Sequence, residues 1–310
     1  MRVRAIAFAL PLATFSAAAA CQVVGGYESF EQGEPPPQAP PHACDALPLS
    51  KTDEKLGRLV LSKQPGGTCV WVGETEVTVE QYRRFVEEKP NWDAQLDPQR
   101  CGWKTAPSDP ARETTHECTV STNMESEPFD LRKPIRCIDW CDARAFCEWA
   151  GTGKFLCGGN ANASPGGSEP ANTTDDWGRA CAPSSGLALP YGDGLTRKEE
   201  VCNVGLSGAQ CRALTGQLRC APAKVGEFSQ CKGPLGAVDM IGNVAEWVFM
   251  CSISDAGAET RCQHRGGSFA DSLEDQTCYS FQSSPRNARE RTIGLRCCAK
   301  LDDYERSLVK

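Results

Sequence analysis

Apolar residues follow a helical spacing in two segments of this chain and otherwise occur in short runs, a pattern that predicts few helices and many short strands. In the first helical segment, Thr78 can cap the helix and Gln81 completes a capping box. The apolar face of this predicted helix consists of Tyr82, Phe85 and Val86.

A second helix is predicted to begin after Asp139, a plausible N-cap, and to end at Gly151. Its apolar positions are Ala143, Ala145, Phe146, Trp149 and Ala150. Strands are predicted at residues 69–72 and 293–298, and a β-rich segment ends at residues 247–249. Pro-, Gly- and Asn-rich stretches separate these elements, and no internal repeat is evident. The pattern predicts an irregular, loop-rich α+β domain.

One short segment, GAVDMIGNVAEWVFM at residues 236–250, contains a Gly-Asn turn between apolar runs. The side chains of Asp239, Asn243 and Glu246 would bring several oxygen atoms onto one loop, which suits a hard cation such as Ca²⁺. The alternative is that Asp239 and Asn243 only hydrogen-bond their own backbone in the turn.

The N-terminal residues predict export. Residues 1–20 combine Arg2 and Arg4 with a short, Ala-rich apolar run, as a secretory signal peptide does. Small residues directly before Cys21 resemble a bacterial lipoprotein signal, in which Cys21 carries the lipid; cleavage after Ala20 by an ordinary signal peptidase is the alternative. Residues 21–47 form a Pro-rich tether in which Cys44 is available to join the tether to the domain.

Composition narrows the classes of function. The chain has 310 residues, 19 cysteines, three histidines and a formal net charge of −7, and it lacks long basic runs, so nucleic acid is not an expected partner. With Cys21 lipidated or removed, an even number of cysteines remains, which predicts a disulfide framework in a cell envelope or secreted protein. Three scattered histidines (His42, His116 and His264) make a zinc cluster or an iron site a poor interpretation.

Five motifs occur in an order that resembles the formylglycine-generating enzyme (sulfatase-modifying factor) family. They are ETEVT at 74–78, WCDA at 140–143, DMIGNVAEW at 239–247, RGGSF at 265–269 and GLR at 294–296. The resemblance implies a loop-rich relative of the C-type lectin fold over residues 48–300, followed by a tail at 301–310.

The family enzyme oxidises a cysteine of a client sulfatase with O₂ and a copper ion held by two cysteines. The resemblance places Cys278 at the second of these cysteines, and Ser268 and Arg286 at further active-site positions. The first cysteine has no counterpart, since Asp271 stands near its expected place. One thiolate cannot form a two-sulfur copper site, so copper is not expected to bind as it does in the family.

The resemblance also implies a structural Ca²⁺. Its ligands would be the side chains of Asp239 and Glu246 and the main-chain carbonyls of Gly242 and Val244.

Two statements about disulfides follow from the same resemblance. Cys147 and Cys297 fall where family members form a bridge. Cys181 also matches a family half-cystine, but Ser283 stands at its partner position, so Cys181 must pair differently.

Two functions remain open. One is a binding or structural module with a protein or glycan ligand, attached to a membrane only through the lipid. The other is an oxidoreductase that acts on a protein or small-molecule thiol with a rearranged metal site. The state of Cys278 separates them, since a free thiol favours the enzyme and a disulfide favours the module.

Overall fold

The computed structural model describes residues 42–64, 67–88, 101–109, 130–159, 175–182, 188–192, 201–205, 221–252, 260–271 and 276–309. The predicted signal peptide, Cys21, nearly all of the Pro-rich tether and His116 lie outside the described residues. The described residues belong to one unit, Pro41–Lys310.

Nine strands are described. In chain order they are β1 (Ser50–Asp53), β2 (Gly57–Lys63), β3 (Cys69–Gly73), β4 (Lys154–Leu156), β5 (Ala245–Cys251), β6 (Arg261–Arg265), β7 (Phe281–Pro285), β8 (Ile293–Leu295) and β9 (Cys297–Lys300). A five-stranded antiparallel sheet has the order β1-β2-β3-β9-β4, and a four-stranded sheet has the order β7-β6-β5-β8. Only β5 and β8 pair in parallel among the described strands.

Four α-helices are described: α1 (Val79–Glu87), α2 (Trp140–Ala150), α3 (Asp176–Cys181) and α4 (Asp303–Leu308). A 3₁₀ turn spans Ala43–Ala46. Thr78 caps α1 and Gln81 completes the capping box, as predicted. Asp139 caps α2 by accepting a hydrogen bond from the backbone of Asp142, and the helix ends before Gly151. The few helices and many loops confirm the α+β, loop-rich fold class.

The five-stranded sheet is buried on both faces. Successive side chains of a strand point to opposite sides, and Trp71 of β3 packs in one hydrophobic cluster while Val72 packs in the other. Cys297 and Cys298 of β9 divide in the same way. The sheet therefore lies between the two hydrophobic clusters, and β9 contributes a cysteine to each of them.

The prediction of a single closing strand at residues 293–298 is wrong. Ile293–Leu295 forms β8 in the smaller sheet, whereas Cys297–Lys300 forms β9 in the larger one. The chain changes sheets at Arg296, whose carbonyl accepts a hydrogen bond from the backbone N–H of Cys157. The side chain of Arg296 is buried at this break between the two strands.

Every cysteine of the described residues is disulfide-bonded. Cys147 is joined to Cys297, the pair that the resemblance implied. The other bridges with both partners described are Cys44–Cys69, Cys101–Cys141, Cys157–Cys298, Cys181–Cys278, Cys202–Cys231 and Cys251–Cys262.

The two ends of the described chain pack on the larger sheet. Cys44 joins the last residues of the predicted tether to β3. Glu305 of α4 accepts hydrogen bonds from the indole of Trp71 and from Lys51, so the C-terminal segment is a docked helix. No helix among the described residues is long and apolar enough to cross a membrane.

Candidate functional site

The loop before β5 is held in an unusual backbone conformation. Gly242 has φ 75°, and the non-glycine residues Asp239 and Asn243 have φ 57° and 50°. Positive φ is unfavourable for most side chains, but Asn and Asp tolerate it better than others. Gly242 is needed for a further reason, because a Cβ there would lie 2.5 Å from the carbonyl oxygen of Asn203.

The polar side chains of this loop bind distant segments. Asp239 Oδ2 accepts a hydrogen bond from the backbone N–H of Gly226 at 2.6 Å. Asn243 Oδ1 accepts hydrogen bonds from Asn203 Nδ2 and from the backbone of Ala223, at 3.0 and 2.9 Å. These contacts do not match the interpretation in which the two side chains only cap their own turn. They join the loop to the surrounding core.

Glu246 is the third of the oxygen-bearing residues in this segment. It lies on β5 and forms an ion pair with Arg296. Arg296 donates to both of its carboxylate oxygens, through Nη2 at 2.7 Å to Oε1 and through Nε at 3.1 Å to each oxygen. Trp177 Nε1 donates to Oε2 at 2.7 Å. Both members of the ion pair are at most 1% exposed. Each carboxylate oxygen thus accepts two N–H groups.

Arg296 is the centre of a buried acidic cluster. It also donates to the carbonyls of Gly73 and Val238, at 2.8 and 2.9 Å. Burial alone would lower the pKa of Arg296, but the carboxylate of Glu246, and then those of Glu76 and Asp239, raise it above its ordinary value. The guanidinium is therefore a fixed positive charge shared by three acidic side chains, which we call the Arg296 cluster.

Glu76 is the member of the Arg296 cluster that sequence reasoning missed. Its Oε1 accepts a hydrogen bond from Asn243 Nδ2 at 2.9 Å, and its buried Oε2 has no hydrogen-bond partner among the described residues. Burial, with the charges of Asp239 and Glu246, raises the pKa of Glu76 well above its usual range. Burial also raises the pKa of Asp239 to about 6. The available signal in the sequence was an acidic residue placed between strand β3 and the apolar residue Val77.

The proposed calcium ligands do not fit a metal ion while Arg296 is bound as described. The Glu246 carboxylate is already enclosed by three N–H groups, those of Arg296 Nε, Arg296 Nη2 and Trp177 Nε1, and both of its oxygens are contacted. A calcium ion held by Asp239, Gly242, Val244 and Glu246 must therefore displace Arg296 or Trp177. Calcium binding at this loop stays a prediction that depends on such an exchange.

The predicted catalytic cysteine is half of a disulfide bridge. Cys278 is bonded to Cys181, with an S–S distance of 2.06 Å, and is fully buried. This bridge supplies the altered partner that the resemblance required for Cys181. The carbonyl of Cys278 accepts a hydrogen bond from Arg265 Nη2 at 2.8 Å. Cys278 has no free thiolate in this state, so its catalytic role stays a prediction that depends on opening the bridge.

Ser268 lies close to the segment that leads to Cys278. Its backbone N–H donates to Asp271 Oδ2 at 2.7 Å, and its carbonyl accepts from Gln276 Nε2 at 2.9 Å. Its hydroxyl oxygen accepts from the backbone of Ala270 at 3.2 Å, and the residue is fully buried. Ser268 and Asp271 therefore stabilise a turn in this structure.

Arg286 lies at the other end of the smaller sheet. Its backbone N–H donates to the carbonyl of Thr260, just before β6, whereas Cys278 contacts Arg265 at the end of β6. Five residues of extended strand separate the backbones of Thr260 and Arg265 by roughly 16 Å. The structure therefore brings Ser268 near the Cys278 segment but places the backbone of Arg286 at the opposite end of β6.

His264 is a structural histidine. It is 6% exposed, its Nε2 lies 3.2 Å from Ser284 Oγ, and its ring meets Trp247 edge-on. Burial, helped by Arg261, lowers the pKa of His264 to about 4. The ring is therefore neutral at pH 7.

Comparisons with known proteins agree on the fold. A family model described as the sulfatase-modifying factor enzyme 1-like domain matches residues 68–301. The solved structure of PvdO from Pseudomonas aeruginosa is similar, with TM-score 0.50 and 16% identity, over 81% of this chain and 98% of that one.

Two further solved structures are similar at lower TM-scores. CarF has TM-score 0.47 and 19% identity, over 79% of this chain and 94% of that one. Treponema denticola variable protein 1 has TM-score 0.46 and 16% identity, over 82% of this chain and 100% of that one. No curated protein sequence matches this chain. Because the family model spans most of the chain and includes every motif described above, this protein belongs to the sulfatase-modifying factor enzyme 1-like domain family.

Proposed function

We propose that this protein is an exported member of its family that acts as a binding or structural module and does not use the two-cysteine copper site. The observation that carries the proposal is the Cys181–Cys278 bridge. Copper(I) prefers soft thiolate ligands, and the bridge leaves none at Cys278. Asp271, near the expected place of the other cysteine, offers a hard carboxylate that already accepts a hydrogen bond from Ser268.

Export belongs to the proposal as well. The bonded state of every cysteine in the described residues supports an oxidising compartment. We assign residues 1–20 to a signal peptide and Cys21 to lipid attachment. Labelling with a fatty acid analogue in a bacterial host should give a labelled chain, and Cys21→Ser should remove the label. An unlabelled wild-type chain in the medium would point to simple secretion.

A groove of about 400 Å³ is the candidate ligand surface. It combines the exposed side chain of Leu131 with charged Glu80 and Lys224, a mixture suited to a polar protein or glycan ligand. Gly226 of the groove donates its N–H to Asp239, so the groove adjoins the Arg296 cluster. A ligand found on a peptide or glycan panel should bind less well to Lys224→Glu. Unchanged binding would remove the groove from the proposal.

The function is tested by incubating the full chain with copper, O₂ and a sulfatase-type peptide that contains a cysteine. We expect no change of mass at the peptide cysteine, and peptide mapping should find Cys278 joined to Cys181. Conversion of the cysteine to formylglycine would overturn the proposal and establish the alternative, an oxidoreductase acting on a thiol. The Cys181→Ser variant, which frees Cys278, shows whether one thiolate is enough for turnover.

A further inference from the structure

A second cluster of metal-ligating groups lies away from the Arg296 cluster. The sulfur atoms of Cys157 and Cys298 and a carboxylate oxygen of Asp176 all lie within 4.8 Å of one another. The two cysteines are fully buried and Asp176 is 2% exposed. The cysteines form a disulfide that joins the residue after β4 to β9, and Asp176 begins α3.

Asp176 has an unused acceptor beside this disulfide. Its Oδ1 accepts a hydrogen bond from the backbone of Gly158 at 2.5 Å, whereas its buried Oδ2 has no hydrogen-bond partner among the described residues. The cation of the nearby Arg265 is bound by the neighbouring Asp175, in an ion pair at 2.9 Å. A buried carboxylate oxygen without a partner is costly, and a disulfide has no proton to donate to it.

We propose that reduction of the Cys157–Cys298 bridge creates a Zn²⁺ site formed by the two thiolates and the Asp176 carboxylate. Zinc binds cysteine sulfur at about 2.3 Å and carboxylate oxygen at about 2.0–2.2 Å in tetrahedral sites, so neighbouring ligand atoms lie roughly 3.3–3.8 Å apart. Reduction must let the two sulfur atoms move apart from the 2.00 Å of the disulfide, and the carboxylate oxygen already lies within 4.8 Å of both. Water takes the fourth position, as in zinc sites with three protein ligands.

The chemistry balances with a water-soluble phosphine as reductant. The phosphine donates two electrons to the disulfide and becomes a phosphine oxide. One water molecule supplies the oxygen of this oxide, and the two protons of the same water convert the two sulfurs to thiols. Zn²⁺ then displaces both thiol protons and any proton on the Asp176 carboxyl, since cysteine and aspartate bind the metal in their deprotonated forms. The bound ion provides the missing partner of Asp176.

The backbone can keep the three groups together after reduction. Cys297, the neighbour of Cys298, is bonded separately to Cys147. β9 also remains between β3 and β4 through its backbone hydrogen bonds. Opening the Cys157–Cys298 bridge therefore leaves β9 attached at the adjacent residue.

The test uses the full chain, treated with graded phosphine in the presence or absence of Zn²⁺ alone. Alkylation and peptide mapping report which bridges are open, and metal analysis after gel filtration reports bound zinc. We expect one zinc ion per chain that the Cys157→Ser/Cys298→Ser variant lacks, and protection of both thiols by zinc. The Cys251→Ser/Cys262→Ser variant is the matched control, because this bridge is also buried but belongs to no metal-ligating cluster of the described residues.

Asp176→Asn provides a test that leaves both cysteines in place. It should weaken zinc binding by about tenfold or more, since losing even a supporting contact of a ligand commonly has this effect. Tryptophan fluorescence verifies that each variant remains folded. Equal zinc content in wild type and in the Cys157→Ser/Cys298→Ser variant, or unchanged affinity in Asp176→Asn, would overturn the proposal.

Discussion

Replacing Arg296 with Met should strongly destabilise the protein. The side chain is fully buried and donates to Glu246, Gly73 and Val238. Met has a similar length and fills much of the space but removes the charge. The substitution leaves the carboxylates of Glu246, Glu76 and Asp239 without their shared cation.

The expected magnitude follows from the loss of one partner of a buried ion pair. Such a loss costs about 3–5 kcal/mol, because the remaining charge is buried without compensation. For a domain of this size each kcal/mol lowers Tm by about 2–4 °C, so the expected decrease is roughly 6–20 °C. Glu246→Gln should cost less, about 1–3 kcal/mol, because Arg296 keeps its two carbonyl acceptors and the other nearby carboxylates.

Thermal unfolding of both variants and of the double variant, without reductant, measures these effects. The double variant should lose less than the sum of the two single losses, since the pair is removed together. Two results would show that the Arg296 cluster does not hold the loop as described. One is an Arg296→Met variant as stable as wild type, and the other is a larger loss of stability in Glu246→Gln than in Arg296→Met.

The same variant tests calcium. Without Arg296, Glu246 keeps only the hydrogen bond from Trp177, and its other oxygen can join Asp239 in binding Ca²⁺. Calcium at 100 times its Kd should then restore about 2.7 kcal/mol, and Mg²⁺ should restore less. An Arg296→Met variant with the same Tm in calcium and in chelator would exclude the four-ligand set.

Two further predictions concern pH and the bridges. Burial and the neighbouring Asp142 raise the pKa of Asp139 to about 7, although the ion pair with Lys104 opposes the shift. The folded protein therefore holds this proton when the unfolded chain has lost it, and stability should fall as pH rises from about 4 to about 7. Asp139→Asn, which can still cap α2, should reduce this fall in thermal unfolding at pH 5 and pH 8. The second prediction concerns removal of both the Cys147–Cys297 and the Cys157–Cys298 bridge. The loss of stability in urea unfolding should exceed the sum of the two single losses by roughly 1 kcal/mol, because either bridge alone still closes the same long loop. Additive losses would contradict this expectation.

Local signals in the sequence predicted the local structure. The capping residues Thr78 and Asp139 and the apolar spacing after them placed α1 and α2 correctly. The short strands β1 and β2 and the helix α4 were missed, because brief segments with mixed polarity have weak patterns.

The partners of the buried charges could not be predicted from the sequence. The Glu246–Arg296 pair joins residues 50 positions apart in the chain, and Trp177 reaches Glu246 from 69 positions away. The resemblance placed Glu246 at a metal, but only the packed structure shows that a guanidinium fills its oxygens. The pairing of Cys278 with Cys181 likewise depends on tertiary contacts.

The adjacent cysteines Cys297 and Cys298 have a consequence for biosynthesis. They bond to Cys147 on α2 and to Cys157 after β4, on opposite faces of one sheet. A shift of β9 by one residue would exchange the faces of the two sulfurs and favour the wrong pairs. Oxidation before the strand is in register would trap a misfolded chain, so efficient maturation should require thiol–disulfide exchange catalysed by an isomerase.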